Sequence, residues 1–219
     1  MKLKVYDETS TLKSVILGNA SNLGNKPKIS QTYDPSSIIH LKKGTYPLKK
    51  DLVNELKLYK KTLEDNKIKV LGLDKVKDCN QIYARDIGFV IEDFFFVSNI
   101  LPLRENEIIG LNTFLKKIDK TKIVRLPSNC HIEGGDVILD NEYVFIGYYN
   151  KTDYKKQITA RTNYKAVKFI ENFFPKKKIK GFELKKSINN PKNNALHLDC
   201  CFQPVGKSLA VVCMDGFLN

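Results

Sequence analysis

One order of elements recurs along this chain and limits the folds that it can adopt: a hairpin, then a helix, then a short strand. Apolar, β-rich runs that flank short polar turns predict β-hairpins. Three such hairpins are predicted: VIEDFFFV turning at Glu92-Asp93, VILDNEYVFI turning at Asp140-Asn141, and CCFQPVGKSLAVV turning near Gly206-Lys207.

Helical periodicity occupies the intervals between these runs. Apolar residues three or four apart predict helices over 52–63, 105–118 and 162–174, and each is followed by a short strand, in turn KIKVLGL, KIVRLP and KIKGFEL. The full order recurs near 75–126 and near 133–184, and only its beginning is found near 195–219. A spacing of roughly 50–60 residues per unit indicates an internal repeat. We therefore predict an α/β fold of repeated ββαβ units, forming one domain over residues 1–219.

The charge and composition exclude few classes of protein. The 219 residues carry a formal charge of +13, but only four of the 37 basic residues are arginine and the lysines are spread along the chain. Phosphate-binding surfaces usually concentrate basic groups and use arginine, so nucleic-acid binding is not favoured. No apolar run is long enough for a membrane span or a signal peptide, which predicts a cytoplasmic protein. Five cysteines without a CxxC spacing predict free thiols.

Polar residues stand at equivalent places in the three units. Asp86 in YARDIGFVI and Glu133 in HIEGGDVIL each precede a strand, and LHLDCCFQPVG carries His197 and Asp199. Taken singly, each residue has a simpler interpretation. Asp86 would form a surface ion pair with Arg85, Glu133 would cap a turn, and His197 would be a hydrogen-bonded core histidine. Their repeated position favours one common centre, where Gly134-Gly135 lets a ligand approach.

The LHLDCC stretch is predicted to be extended. Alternate residues of a strand share a face, so His197, Asp199 and Cys201 are expected on one face and Cys200 on the apolar one. Two cysteines on opposite faces cannot join one tetrahedral zinc site, and no metal is therefore predicted.

These motifs resemble those of the guanidine-modifying enzyme superfamily. The matching stretches are ARDIGFVIEDFFFVSN, IEGGDVILDNEYVFIG followed by ARTN, and LHLDCCFQPVG, within residues 80–213. The superfamily includes dimethylarginine dimethylaminohydrolases, arginine deiminases and amidinotransferases. The resemblance implies the pentein fold, a five-bladed α/β-propeller, here with its C-terminal blade incomplete or missing.

The resemblance also implies roles for individual residues. His197 matches the catalytic histidine, and Glu133 matches the acid that orients it. Four residues match substrate-binding positions: Asp86 and Asp199 for the guanidinium, and Arg161 and Arg104 for the amino acid's carboxylate. Asn80 stands where dimethylarginine hydrolases carry an acid, so the substrate stays open between arginine and methylated arginines.

The implied reaction needs a thiolate, because the central carbon of a guanidinium is a poor electrophile. In the superfamily the reactive cysteine lies in the last blade, and no cysteine of this chain matches it. The resemblance implies a hydrolase that releases citrulline through a covalent amidino-cysteine, without cofactor, whose nucleophile lies outside this chain. An amidinotransferase and a non-catalytic arginine-binding protein remain alternatives. The expected partners are a small guanidino substrate and either a second copy or a missing C-terminal segment, with no membrane.

Overall fold

A computed structural model describes residues 1–152, 154–206 and 208–218. Within these residues lie ten strands: β1 (Ser14–Leu17), β2 (Lys69–Gly72), β3 (Gly88–Ile91), β4 (Phe94–Val97), β5 (Ile123–Arg125), β6 (Val137–Asp140), β7 (Tyr143–Tyr148), β8 (Lys178–Glu183), β9 (Phe202–Gly206) and β10 (Leu209–Val212). The same residues form four α-helices: α1 (Pro35–Lys42), α2 (Lys49–Asp65), α3 (Asn112–Leu115) and α4 (Tyr164–Phe173).

Two complete repeat units form the middle of the chain. In the first unit β3 pairs antiparallel with β4, and β4 pairs parallel with β5. The second unit repeats this arrangement with β6, β7 and β8. The predicted repeat is confirmed. The left-handed Glu92 (φ 57°) marks the first turn as predicted, whereas the second turn comes one residue later than predicted, at Asn141-Glu142, with Asn141 at φ 52°.

The pairs at the two ends have two strands each. Strand β1 pairs parallel with β2 across a connection that contains α1 and α2, and β9 pairs antiparallel with β10. The turn predicted near Gly206-Lys207 includes Lys207, which lies outside the described residues. Strand β10 ends at Val212, and Cys213 is exposed beyond it.

The helix predicted over 105–118 is largely a 3-10 helix. This form covers Pro102–Leu111 and continues as the short α3. A 3-10 helix has three residues per turn, so side chains three apart lie on one face. Arg104 and Glu107 are so spaced, and both are buried in a mutual ion pair of 2.8 Å.

The LHLDCC stretch is not extended as predicted. His197 is followed by a 3-10 turn over Leu198–Cys200, and strand β9 begins only at Phe202. The turn forms because the Asp136 carboxylate accepts the Leu198 amide at 2.9 Å. The expected alternation of faces is therefore wrong here, and Cys200 is exposed.

Apolar side chains of the two complete units form the main core. One cluster joins them through Phe89, Phe96, Ile132 and Ile146, among others, and α4 contributes Ala166, Val167 and Ile170 to it. Burial of this apolar face stabilises α4, whose N-terminus is capped by the Asn163 side chain at 3.0 Å from the Ala166 amide. Among the described residues, no helix combines the length and apolar content needed to cross a bilayer.

Candidate active site

Glu133 lies at the centre of a cluster of buried charged side chains. It immediately precedes the 3-10 turn Gly134–Asp136 that leads into β6. Its Oε2 atom accepts hydrogen bonds from His197 Nε2 at 2.9 Å, Arg104 Nη1 at 2.9 Å and Arg161 Nη1 at 3.0 Å. Burial opposes ionisation, but the Arg161 guanidinium and the His197 hydrogen bond hold the pKa of Glu133 well below its ordinary value. Glu133 is therefore a permanent anion in the interior.

His197 stands between two carboxylates. Its Nε2 atom contacts Glu133, and its Nδ1 atom lies 3.7 Å from Asp86 Oδ1. Burial disfavours the imidazolium, but Asp86 and the hydrogen bond to Glu133 outweigh it and raise the pKa of His197. A histidine that keeps its proton near neutral pH is suited to act as a general acid.

Gly135 provides the space in which the imidazole of His197 lies. A Cβ atom at this position would come within 2.8 Å of His197 Cγ and 3.1 Å of Asp86 Oδ1. The neighbouring Gly134 lies against backbone, since a Cβ there would stand 2.1 Å from the Arg85 carbonyl oxygen. The two glycines of the EGGD motif therefore allow three chain segments to meet.

Arg104 uses all its guanidinium nitrogens on carboxylates. Nε and Nη2 each donate to one oxygen of Glu107 at 2.8 Å, and Nη1 donates to Asp86 Oδ2 at 2.9 Å as well as to Glu133. This fork geometry favours arginine over lysine. Arg104 thus neutralises the cluster and connects Asp86 to Glu133.

Arg161 reaches the same glutamate but is otherwise held by backbone. Its Nε donates to the Ile158 carbonyl at 2.9 Å and its Nη2 to the Tyr33 carbonyl at 2.7 Å. The Tyr33 ring faces both guanidinium groups, with its centroid 5.4 Å from Arg161 Cζ and 5.6 Å from Arg104 Cζ. Burial raises the pKa of Tyr33 to about 12, so its hydroxyl stays protonated.

Asp199 lies beside the cluster, outside its hydrogen bonds. Its Oδ2 atom is 3.2 Å from Arg85 Nε, and its side chain is partly exposed. Burial raises its pKa, against the opposing effect of the charges on His197 and Arg85. Of the six residues singled out from sequence, five lie in the buried cluster and Asp199 lies at its edge.

Within the described residues, no cysteine sulfur hydrogen-bonds to the His197 ring. Partial burial raises the pKa of the Cys200 thiol to about 11, and its sulfur contacts Asp199 at 3.7 Å. Cys201 is buried, with a pKa raised by burial to about 12, and donates to the Leu198 carbonyl. Burial likewise raises the pKa of the Cys79 thiol to about 11. These thiols are protonated at neutral pH and are poor nucleophiles.

Three side chains have the composition of a metal site. Asp86, Glu133 and His197 each offer one ligand atom, and these atoms lie within 4.8 Å of one another. Two guanidinium groups already occupy Glu133 Oε2, and a dication there would be repelled by both. The arrangement fits proton transfer and guanidinium binding better than metal coordination.

Several contributors to the site were not singled out from sequence. Glu107 pairs with Arg104, Asp136 accepts the amide that follows His197, and Tyr33 lies over both arginines. Asp136 could have been identified from the sequence, since it completes the EGGD motif. No sequence pattern identified Tyr33, because it reaches the cluster from a segment 128 residues before Arg161.

The chain matches one family model over most of its length. Residues 40–218 match a model described as "N,N dimethylarginine dimethylhydrolase, eukaryotic". A curated relative, an uncharacterized protein of Bacillus subtilis named YkgA, is 28% identical over 212 residues. That match covers 94% of this chain and 64% of the relative.

Solved structures share the fold at lower identity. SxtG, an amidinotransferase from the saxitoxin pathway of Microseira wollei, superposes with a TM-score of 0.71 at 15% identity, covering 98% of this chain and 70% of its own. The N-terminal domain of ArgZ, a cyanobacterial arginine dihydrolase solved as a C264S mutant with substrate, gives 0.71 at 14%, covering 93% and 68%. The chain belongs to the dimethylarginine dimethylhydrolase family, within the pentein superfamily of guanidine-modifying proteins.

Proposed function

We propose that this chain forms the guanidino-binding and proton-transfer part of a hydrolase that releases citrulline from arginine or a methylated arginine. The supporting observation is that His197 bridges Glu133 and Asp86, with Nε2 2.9 Å from Glu133 and Nδ1 3.7 Å from Asp86. This pairing holds a protonated imidazole beside a carboxylate in a chain of the dimethylarginine dimethylhydrolase family.

The substrate guanidinium is proposed to bind between Asp86 and Asp199. Asp86 Oδ2 accepts a hydrogen bond from Arg104, whereas among the described residues Asp86 Oδ1 has only the 3.7 Å approach of His197 Nδ1. Asp199 offers a second carboxylate whose contact with Arg85 is partly exposed and hence exchangeable. Two carboxylates match the planar, delocalised charge of the substrate.

In the proposed reaction a thiolate attacks the guanidinium carbon, and His197 gives its proton to the departing amine. The neutral His197 then takes a proton from water, which attacks the amidino carbon and breaks the bond to sulfur, so that citrulline leaves. Glu133 stabilises the imidazolium before the first proton transfer and after the second. The thiolate is proposed to come from polypeptide beyond residue 219 or from a second chain.

Arg161 and Arg104 are proposed to hold the substrate's own carboxylate. Both lie in the cluster beneath the Tyr33 ring, and the support for this role is the match of their motifs to the family's carboxylate-binding arginines. Since Arg104 is engaged by three carboxylates, Arg161 is the better candidate for the larger share of this interaction.

Calorimetry with the 219-residue chain tests the binding half of this proposal. L-Arginine should bind, and agmatine, which lacks the carboxylate, should bind more weakly. The Asp86→Asn variant should show no heat of arginine binding. A Lys50→Met variant, altered at an exposed residue of α2, serves as the control. Arginine binding that is unchanged in Asp86→Asn would contradict the assignment.

Turnover needs the product of the complete open reading frame. Citrulline formation from arginine or methylated arginines, lost in His197→Gln, is expected. An amidinotransferase is the second candidate, since SxtG shares this fold. It would transfer the amidino group only after an amine acceptor is added. Binding without either reaction would favour a non-catalytic arginine-binding protein.

A further inference from the structure

Lys186 is a half-buried residue whose desolvated ammonium group is not used by the proposed reaction. It follows β8, and its Nζ atom donates to the Ala195 carbonyl at 2.8 Å and to the Leu196 carbonyl at 2.7 Å. These are the two carbonyls that immediately precede His197. A lysine that reaches two consecutive carbonyls fixes the backbone that carries the next side chain.

Asp136 holds the other side of the same histidine. Its Oδ1 atom accepts the amide of Leu198 at 2.9 Å, and its Oδ2 atom accepts the Thr162 hydroxyl at 2.6 Å. Asp136 has no exposed surface, and a Cβ at Gly147 would stand 2.6 Å from its Oδ1. The residues before and after His197 are thus tied to two charged side chains of opposite sign.

The two charges also compensate each other. Desolvation lowers the pKa of Lys186 to about 8, and the nearby Asp136 carboxylate opposes this effect. Desolvation likewise raises the pKa of Asp136, while His197 and Lys186 oppose it. A desolvated charge is retained at this cost only when hydrogen bonds offset it. The two carbonyls do so for Lys186, and the Leu198 amide and the Thr162 hydroxyl do so for Asp136.

We propose that Lys186 and Asp136 are positioning residues that clamp the backbone on both sides of His197 and hold its imidazole against Glu133. The catalytic meaning of this clamp rests on the proposed function, but its structural effect does not. Without the clamp the 3-10 turn that begins at Leu198 loses its anchor, and the 2.9 Å contact of Nε2 with Glu133 lengthens.

Nitrogen-15 NMR of the histidine rings tests the clamp without any substrate. The chain has only three histidines, His40, His131 and His197, so the ring signals can be assigned by single substitutions. In the wild type the hydrogen-bonded ring N–H of His197 should be visible downfield and its pKa should be raised. Lys186→Met should lose this signal and shift the pKa of His197 down towards its ordinary value.

The expected direction separates positioning from plain electrostatics. Deleting a nearby positive charge without moving His197 would raise its pKa, whereas release of His197 from Glu133 lowers it. Lys186→Arg, which keeps charge and donors, should restore the signal. Lys185→Met is the matched control and should leave it unchanged, because only the backbone of Lys185 is used, in bonds to Gly216 and Ala195.

The proposal is overturned if folded Lys186→Met keeps the downfield signal, or if the pKa of His197 stays or rises. Should Lys186→Met not fold, Lys186→Gln decides, since its shorter amide reaches one carbonyl at most and should weaken the signal, and an unchanged signal there overturns the proposal. In the complete protein, Lys186→Met should lower kcat about tenfold with little change in KM. If Lys186→Met loses the NMR signal but the wild-type complete protein shows no turnover, the proposed function is refuted and the clamp stands.

Discussion

The two complete repeat units each place a carboxylate shortly before their first strand, yet hold it differently. Asp86 stands two residues before β3, and Glu133 stands four residues before β6. Each unit also sends one arginine back to Glu133. Apart from Glu133, Arg104 of the first unit donates hydrogen bonds to side-chain carboxylates, whereas Arg161 of the second unit donates to backbone carbonyls.

The comparison shows how one repeat yields two chemical roles. Glu133 has three cationic partners on one oxygen and no exposed surface, so it is the electrostatic centre of the site. Asp86 has one arginine partner and an oxygen turned towards His197. The second unit therefore supplies the fully enclosed charge, and the first supplies a carboxylate with one oxygen outside the hydrogen bond from Arg104.

Replacing the central acid should have the largest effect. Glu133→Gln leaves two buried guanidinium groups without their shared anion and should lower the free energy of unfolding by about 3–5 kcal/mol. Asp86→Asn, the equivalent change in the first unit, should cost about 1–3 kcal/mol, because one charged hydrogen bond is weakened. Urea unfolding measures both. Equal losses would show that the two units are electrostatically equivalent after all.

The arginines should rank next. Arg104→Lys loses the fork to Glu107 and should cost about 2–3 kcal/mol. Arg161→Lys loses one of its two backbone contacts and should cost roughly 1–2 kcal/mol. Arg125→Lys, at the exposed end of β5, is the control and should be neutral. If Arg161→Lys loses more free energy of unfolding in urea than Arg104→Lys, the backbone carbonyls hold Arg161 more strongly than the carboxylates hold Arg104, contrary to this prediction.

Two glycines near these carboxylates, Gly135 and Gly88, should separate packing from positioning. Gly135→Ala drives a methyl group against His197, and Gly88→Ala drives one to 2.5 Å from Phe95 Cζ. Each should cost about 1–3 kcal/mol. Only Gly135→Ala should also disturb the ring titration of His197 by NMR. Gly72→Ala, where nothing lies within 4 Å, should change neither quantity. A His197 titration disturbed by Gly88→Ala would mean that strain passes between the units.

The charge on His197 should give the smallest effect. Because folding raises its pKa, its contribution to stability is complete below the unfolded value of 6.5 and is lost as the pH rises through the folded value. Glu133 acts oppositely, with its contribution lost as the pH falls below the ordinary 4.5. The stability difference between wild type and His197→Gln should shrink as the pH rises from 5.5 to 8.5. A constant difference in urea unfolding would exclude this linkage.

Local patterns were sufficient for much of this architecture. The first two hairpins, the helices α2 and α4, and the ββαβ order were predictable because alternation, turn residues and helical periodicity act over a few residues. The carboxylates before each first strand were identifiable for the same reason. The 3-10 form of the Pro102–Leu111 segment was not predictable, because apolar residues three or four apart are compatible with either kind of helix.

The amino-acid sequence by itself determined the repeat, its turns and the order in which Asp86, Glu133 and His197 appear. Only the tertiary structure decided which cations meet Glu133, because Arg104, Arg161 and His197 reach it from 29, 28 and 64 residues away. It also decided that LHLDCC turns instead of extending, since the deciding acceptor is Asp136 on another unit. Ion pairs and hydrogen bonds across such separations form only after the units pack, and no local pattern encodes them.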